Sequence, residues 1–131
     1  QGKDISADER RAFAWYKAAA DQGLSAAQLN VGRMLADGLG TKKDESLARQ
    51  YFEKAASRGD NRASFNLAMM EEKKKNYMGA YQWYELSTRD GMLDNKVITL
   101  SEGKKTALAA NLTQEQIRQA RDRADRWIQA Q

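Results

Sequence analysis

A twelve-residue pattern that returns twice along the chain constrains the fold more than any other feature. Ala12-x-x-Trp15-Tyr16-x-x-Ala19-Ala20-x-x-Gly23 lines up with Ala48-x-x-Tyr51-Phe52-x-x-Ala55-Ala56-x-x-Gly59 at a constant offset of 36 residues, with seven positions alike in size or chemistry. A third copy, Ala80-x-x-Trp83-Tyr84-x-x-Ser87-Thr88-x-x-Gly91, follows at an offset of 32, its alanine pair replaced by small hydroxyl residues. Self-similarity at such a period marks stacked supersecondary units, each carrying an apolar stripe that it cannot bury alone. Within the first copy Ala12, Tyr16, Ala19 and Ala20 stand at i, i+4, i+7 and i+8, one face of a helix.

Composition agrees with a helical reading. Proline is absent and Ala, Leu, Glu, Lys, Gln and Arg are plentiful, which favours helix interiors over the turn-dense pattern of a β-sandwich. At 131 residues the chain is read as one all-α domain, 1–131. Its 22 basic and 18 acidic side chains are interspersed, and a net charge of +4 is too small to argue for nucleic acid. Cysteine and histidine are both absent, which removes disulfides, thiolate nucleophiles, Cys/His zinc sites and a histidine general base; no cofactor is expected. No apolar run approaches the roughly 20 residues of a membrane-spanning helix, so no membrane insertion is expected. A start at Gln1 rather than methionine fits either a trimmed chain or the mature form of an exported protein.

Start and stop signals place the elements. A first helix is expected from about Glu9 to Gln22, capped by Ser6 or Asp8 and stopped by Gly23. A second begins after Ser25, carries Ala27, Val31, Gly32 and Leu35, and ends at Asp37-Gly38-Leu39-Gly40. Gly32, mid-helix, costs about 1 kcal/mol relative to alanine, which calls for a close helix approach. Asp44 is a good N-cap for a third helix from about Glu45 to Arg58, and the fourth, from about Asn61, places Ala63, Leu67 and Ala68 where Ala27, Val31 and Gly32 stood. Asn76 is the expected turn residue before a fifth helix from about Met78 to Arg89. After Asp90-Gly91, a sixth from about Leu93 to Glu102 has Asn95 and Leu100 where alanine and glycine are expected, and Gly103 ends it. Thr113 with Gln116 three residues on forms a capping box that opens a last helix to about Ala130. Its stripe of Ile117, Ala120, Ala124, Trp127 and Ile128, opposite Arg118, Asp122, Asp125 and Gln129, suits a cap with a polar outer side, anchored by Trp127.

The run Ala-x-x-Trp-Tyr-x-x-Ala-Ala-x-x-Gly, then Ala27-Gln28-Leu29-Asn30-Val31-Gly32 and Asp37-Gly38-Leu39-Gly40, resembles the Sel1-like repeat, a relative of the tetratricopeptide repeat. The second copy follows the pattern up to a shortened loop at Glu71 to Asn76, the third only through Gly91, and the ending from Leu112 to Ile117 with Ala120 and Trp127 is similar to the closing segment of bacterial members. The resemblance implies a short right-handed α-solenoid of antiparallel helix pairs, about 2.5 to 3 repeats at roughly 12–47, 48–79 and 80–110, with a capping helix at roughly 113–130. In that register the first helix is the second member of a pair whose partner is missing. The family's concave face binds proteins or peptides, and the positions it would turn inward are Leu29, Arg33 and Asp37, then Phe65, Met69, Glu72 and Lys73, then Val97 and Ser101.

Leu29, Phe65, Met69 and Val97 would then form an apolar strip with Arg33, Glu72 and Lys73 at its rim, the form of a peptide or helix groove unless the array or its own last helix covers it. The recurring pairs Trp15/Tyr16, Tyr51/Phe52 and Trp83/Tyr84 are read as core rather than as a ligand cage, because their period is that of the repeat. Met70 fits gap-filling. Lys73-Lys74-Lys75 and Lys104-Lys105 are read as solvated runs rather than contacts for an anionic surface. Glu71 and Glu72 do not converge as a catalytic pair, since helix neighbours point about 100° apart. Asn111-Leu112-Thr113 matches a glycosylation acceptor, although capping explains Thr113 more simply. The expected function is a non-enzymatic interaction module, monomeric, binding a protein or peptide. An envelope or secretion-related adaptor is the leading setting, periplasmic or otherwise exported, with a cytoplasmic location as the alternative. An immunity protein covering a toxic effector enzyme is the second reading. A cell-wall or β-lactam hydrolase is the third, without a Ser-x-x-Lys motif or a histidine to support it.

Overall fold

The computed structural model describes residues 6–89 and 94–131. Among these the chain forms seven helices and no strand: α1 (Ala7–Asp21), α2 (Ser25–Asp37), α3 (Glu45–Ser57), α4 (Asn61–Lys73), α5 (Tyr77–Ser87), α6 (Asn95–Ala109) and α7 (Gln114–Ala130). The all-α expectation holds, and most boundaries fall within a residue or two of their sequence signals. The chain divides into two compact units, Gln1–Arg58 and Gly59–Gln131.

In the first unit α2 packs between α1 and α3. Ser6 opens α1 through a full capping box: its hydroxyl accepts from the Glu9 N–H at 3.1 Å while the Glu9 carboxylate accepts from the Ser6 N–H at 3.2 Å. At the other end of α1 the buried Gln28 amide donates to the Ala20 carbonyl at 3.2 Å, and Tyr51 donates its hydroxyl to Asp21 at 2.9 Å. Asp44 caps α3 by accepting from the Leu47 N–H. The core is built from Ala20, Leu29, Val31, Leu35, Ala48, Phe52 and Ala55. Gly32 has the packing reason that its cost demanded, since a Cβ there would lie 2.5 Å from Cε1 and 2.6 Å from Cδ1 of the Phe52 ring. The connection after α2 also needs a glycine. Gly40 takes a left-handed φ of 75° and tucks so tightly under the Glu9 carbonyl of α1 that any side chain would strike it.

In the second unit α4 pairs with α5, and α5 also supports α6 and α7. The shortened repeat loses its residues from a loop alone. α2, α3 and α4 are each 13 residues long, while the connection 38–44 between α2 and α3 shrinks to 74–76 between α4 and α5. Lys75, not Asn76, takes the left-handed turn, with φ 63°; Asn76 is the N-cap of α5 and accepts from the Gly79 N–H at 3.1 Å. The short amide of Asn76 is better used satisfying an orphan helix donor than forming the turn.

α6 corrects the sequence reading. It does not stop at Gly103 but runs through it to Ala109, because Lys105 and Leu108 beyond it are buried and hold the added turns in place. Asp90, Gly91 and Leu93, expected at the α5–α6 junction, lie outside the described residues. The buried Asn61 ties together what flanks them, its amide donating to the Ser87 carbonyl at 3.1 Å and the Asp94 carbonyl at 3.4 Å. Thr113 and Gln116 form the expected capping box of α7, which lies against α5. Ala120 and Ala124 are fully buried there, and Trp127 meets Trp83 edge-on with ring centroids 5.0 Å apart. Two seam positions differ from the expected stripe. Ile128 is exposed, and Asp125, expected on the outer face, reaches Arg89, just past the end of α5, as an ion pair.

Candidate interaction surface

The expected inward-facing positions lie on α2, α4 and α6, and the faces of these helices that do not enter the core are the candidate surface. On α2 the core side takes Ala27, Gln28, Val31, Gly32 and Leu35. Of the three positions expected to face a groove, Arg33 and Asp37 are exposed, whereas Leu29 is buried and belongs to the core of its unit. A leucine one turn before Arg33 gains more by completing that core than by lining water.

On α4 the core side takes Ala63, Ser64, Leu67 and Ala68, leaving Arg62, Phe65, Asn66, Met69 and Lys73 on the other face at i, i+3, i+4, i+7 and i+11. Met69 is 38% exposed and Lys73 exposed. Phe65 is half-buried, its ring meeting Tyr84 edge-on at 5.4 Å. Glu72 accepts a 2.7 Å hydrogen bond from the Tyr84 hydroxyl and lies 3.7 Å from Lys104. Burial first, then the bond to Glu72, holds the Tyr84 hydroxyl well above its ordinary pKa. Glu71 turns elsewhere, accepting from the Asn76 amide at 2.9 Å, so the two adjacent carboxylates diverge as helix geometry requires.

The third copy departs further. Val97 and Ser101 are both buried, the Ser101 hydroxyl paired at 2.5 Å with that of Ser87 in α5. The corresponding face of α6 is therefore interior, and the expected four-residue apolar strip is reduced to Met69 and the edge of Phe65. Nor is Lys105 a solvated lysine. It is buried and donates to Glu85 at 2.9 Å, while Arg89 bonds the other oxygen of the same carboxylate at 2.9 Å and Arg121 approaches at 3.7 Å. Burial pushes the Glu85 carboxyl upward, but the bonds and charges of Lys105 and Arg89 outweigh it and hold the group below its ordinary pKa. This cluster joins α5, α6 and α7, and its links from Glu85 to Lys105 and Arg121 give no signal in the sequence because those residues stand 20 or more positions apart.

The aromatic pairs also part company. Tyr51, Phe52, Trp83 and Tyr84 are buried, as a core role requires, but Trp15 is 76% and Tyr16 42% exposed. The reason is positional: Phe52 rests against α2 and Tyr84 against α4, and no described helix precedes α1. Among the described residues no group of three or more Asp or Glu side chains is placed to hold a metal ion, and no helix is long and apolar enough to cross a membrane.

Similarity to known proteins fits the repeat. The chain is 39% identical over 59 residues to the chitin synthase regulator SKT5 of Malassezia restricta, over 45% of this chain and 4% of that protein. Its structure resembles that of a protective antigen present in uropathogenic Escherichia coli strains, which displays an SLR fold: the TM-score is 0.79, with 29% identity over 92% of this chain and 26% of the antigen. The chain thus spans only a small part of the length of either relative. Segments 1–24, 25–60 and 62–92 match the Sel1 repeat, a unit that generally serves protein–protein interaction. These matches cover well over half of the sequence, and the chain belongs to the Sel1 repeat family.

Proposed function

We propose that the chain is a non-enzymatic interaction module that binds a protein or peptide segment, acting as an adaptor in a bacterial envelope or secretion-related setting, in the periplasm or otherwise exported. The observation that carries the binding reading is the outer face of α4. There Met69, 38% exposed, continues from the half-buried Phe65 between Arg62, Asn66 and Lys73, on a helix whose opposite face is core. A flexible, polarisable side chain rimmed by amide and cationic groups suits an irregular partner surface. Arg33 and Asp37 offer polar contacts on the equivalent face of α2. The envelope setting rests on likeness to the bacterial antigen.

Affinity capture from the native host with the wild-type chain and with Met69→Asp/Lys73→Glu tests the binding reading. Both positions are exposed, so helical content and melting temperature are expected to stay unchanged while the captured partner is lost. Equal recovery by both proteins would refute the α4 face as the binding surface. Fractionation of that host, with the chain found only in the cytosol, would refute the exported setting.

A further inference from the structure

The outer face of α4 changes character along its length. Arg62, in the first turn, is spent inside its own unit, since its guanidinium reaches both oxygens of the buried Asp60 at 3.0 and 2.8 Å. Past Met69 come Lys73, Lys74 and Lys75, all exposed, and none of the three ammonium groups has an ion-pair or hydrogen-bond partner among the described residues. The two carboxylates beside them are engaged elsewhere. Glu71 accepts from the Asn76 amide at 2.9 Å, and Glu72 holds the Tyr84 hydroxyl with Lys104 3.7 Å away. A cation near a helix C-terminus complements the helix dipole, which is reason enough for Lys73 and Lys74. Lys75 is different. It takes a left-handed φ of 63°, whereas the other left-handed positions among the described residues, Gly23, Gly38, Gly40 and Gly59, are all glycine. Glycine would make this turn without strain, so the lysine is kept at the expense of stability. Strain retained at an exposed charge points to something that the charge meets.

We infer, on the reading that α4 carries the binding face, that its partner is an acidic peptide segment: one apolar residue covers Met69 and the carboxylates beyond it run past Lys73, Lys74 and Lys75. The spacing suits an extended chain. Met69 and Lys73 are one turn apart, about 6 Å along the helix, and in an extended peptide a side chain two residues beyond the anchor stands about 7 Å from it. Lys73 and Lys74 fan apart by about 100° and the left-handed backbone turns Lys75 again, so the three meet a row of carboxylates rather than converging on a single anion. The same arrangement disfavours a lipid surface. Three lysines fall short of the roughly four to eight that mark lipid binding, and Tyr77 and Met78, the next apolar residues, are half-buried rather than free to insert.

The probe is a fluorescein-labelled peptide with one leucine between two blocks of three glutamates, titrated with the whole chain by fluorescence anisotropy. Control peptides carry glutamine for every glutamate, or alanine for the leucine. At low salt the glutamate peptide should bind about tenfold tighter than the glutamine peptide, three exposed charge pairs at about twofold each, and should lose that margin in about 1 M salt. Lys75→Gly should weaken the glutamate peptide by about 1.5-fold to fivefold while raising the urea midpoint of the chain, a combination that a merely structural lysine does not produce. Met69→Gln should remove the advantage of leucine over alanine and leave the preference for glutamate. The acidic partner is overturned by absence of saturable binding, by equal binding of the glutamate and glutamine peptides, or by a glutamate preference that Lys74→Gln/Lys75→Gly leaves untouched. A glutamate preference that follows the lysines without any advantage of leucine would instead refute the α4 face and uphold the acidic partner, so the two failures are distinct. Lysine-dependent sedimentation with phosphatidylglycerol vesicles, beside equal binding of the two peptides, would give the run to a lipid surface and overturn the inference.

Discussion

The same substitution, glycine to alanine, is expected to act with opposite sign at two helical positions, and the structure supplies the reason. Alanine is favoured over glycine inside a helix by about 1 kcal/mol. Gly103 sits in α6 with nothing within 4 Å of the position its Cβ would take, so Gly103→Ala should gain nearly all of that amount. At Gly32 the added methyl would fall 2.5 Å from Cε1, 2.6 Å from Cδ1 and 3.0 Å from Cζ of Phe52. That ring is only 1% exposed and has no open side to yield into. Overpacking of this kind costs about 2–3 kcal/mol, leaving Gly32→Ala less stable by about 1–2 kcal/mol after the propensity gain. Urea unfolding followed by far-ultraviolet circular dichroism should show the midpoint falling for Gly32→Ala and rising for Gly103→Ala, with the slope unchanged. In thermal melts each kcal/mol should appear as about 3–5 °C. Adding Phe52→Leu to Gly32→Ala should recover part of the loss, since the clash depends on the ring edge. A rise for both single variants would refute the close-approach reasoning.

Three further outcomes follow from contacts in the two units. Lys105→Ala should destabilise by about 2–3 kcal/mol, because it removes one partner from a buried carboxylate that Arg89 and Arg121 only partly compensate. Glu85 titrates below its ordinary value in the folded chain, so its contribution is full above the unfolded value near pH 4.5 and is lost as pH falls through the folded one. The acid-unfolding midpoint of Lys105→Ala should therefore move to higher pH. Tyr84, held above its ordinary pKa of 10.0, contributes fully below that pH and loses its contribution as pH rises beyond it, so Tyr84→Phe should cost about 1 kcal/mol at neutral pH yet show a flatter stability profile above pH 10. Lys75→Gly should stabilise the second unit by about 1 kcal/mol, measured in urea, by relieving a left-handed conformation that costs a non-glycine residue about that much.

How far the sequence can be read depends on the range of the interaction behind each feature. Ser6, Asp44 and Thr113 act within three residues, and their caps are legible from spacing alone. Gly32 is legible as a close approach because a glycine in mid-helix sacrifices stability that a tight contact with a neighbouring helix can return. Gly103 sends the local signal of a helix stop, while the burial that carries α6 past it comes from residues packed in three dimensions. Trp15 and Tyr16 share their spacing with buried counterparts, and no periodic argument can tell a residue with a neighbouring helix from one without. For the interaction surface, repeat register identifies which face of α2 and α4 turns away from the core at Arg33, Asp37, Met69 and Lys73, but not how deeply each residue on it sits. Leu29, Val97 and Ser101 are interior for reasons of packing depth that register does not carry. Glu85 and Lys105, 20 positions apart, leave no pattern to find.

The two ends of α1 are held by different means. Gly40 is wedged beneath the Glu9 carbonyl at one end, and Gln28 and Tyr51 grip Ala20 and Asp21 at the other. Between them lies a helix whose outer side carries two uncovered aromatic rings. A solvent-facing helix with loose ends would fray, and anything binding it would have to bear the entropy of ordering it. Clamped as it is, α1 stays ordered although Trp15 and Tyr16 are exposed. Its central amides should exchange with solvent deuterium as slowly as those of α3, and the bareness of its surface should leave no trace in its dynamics.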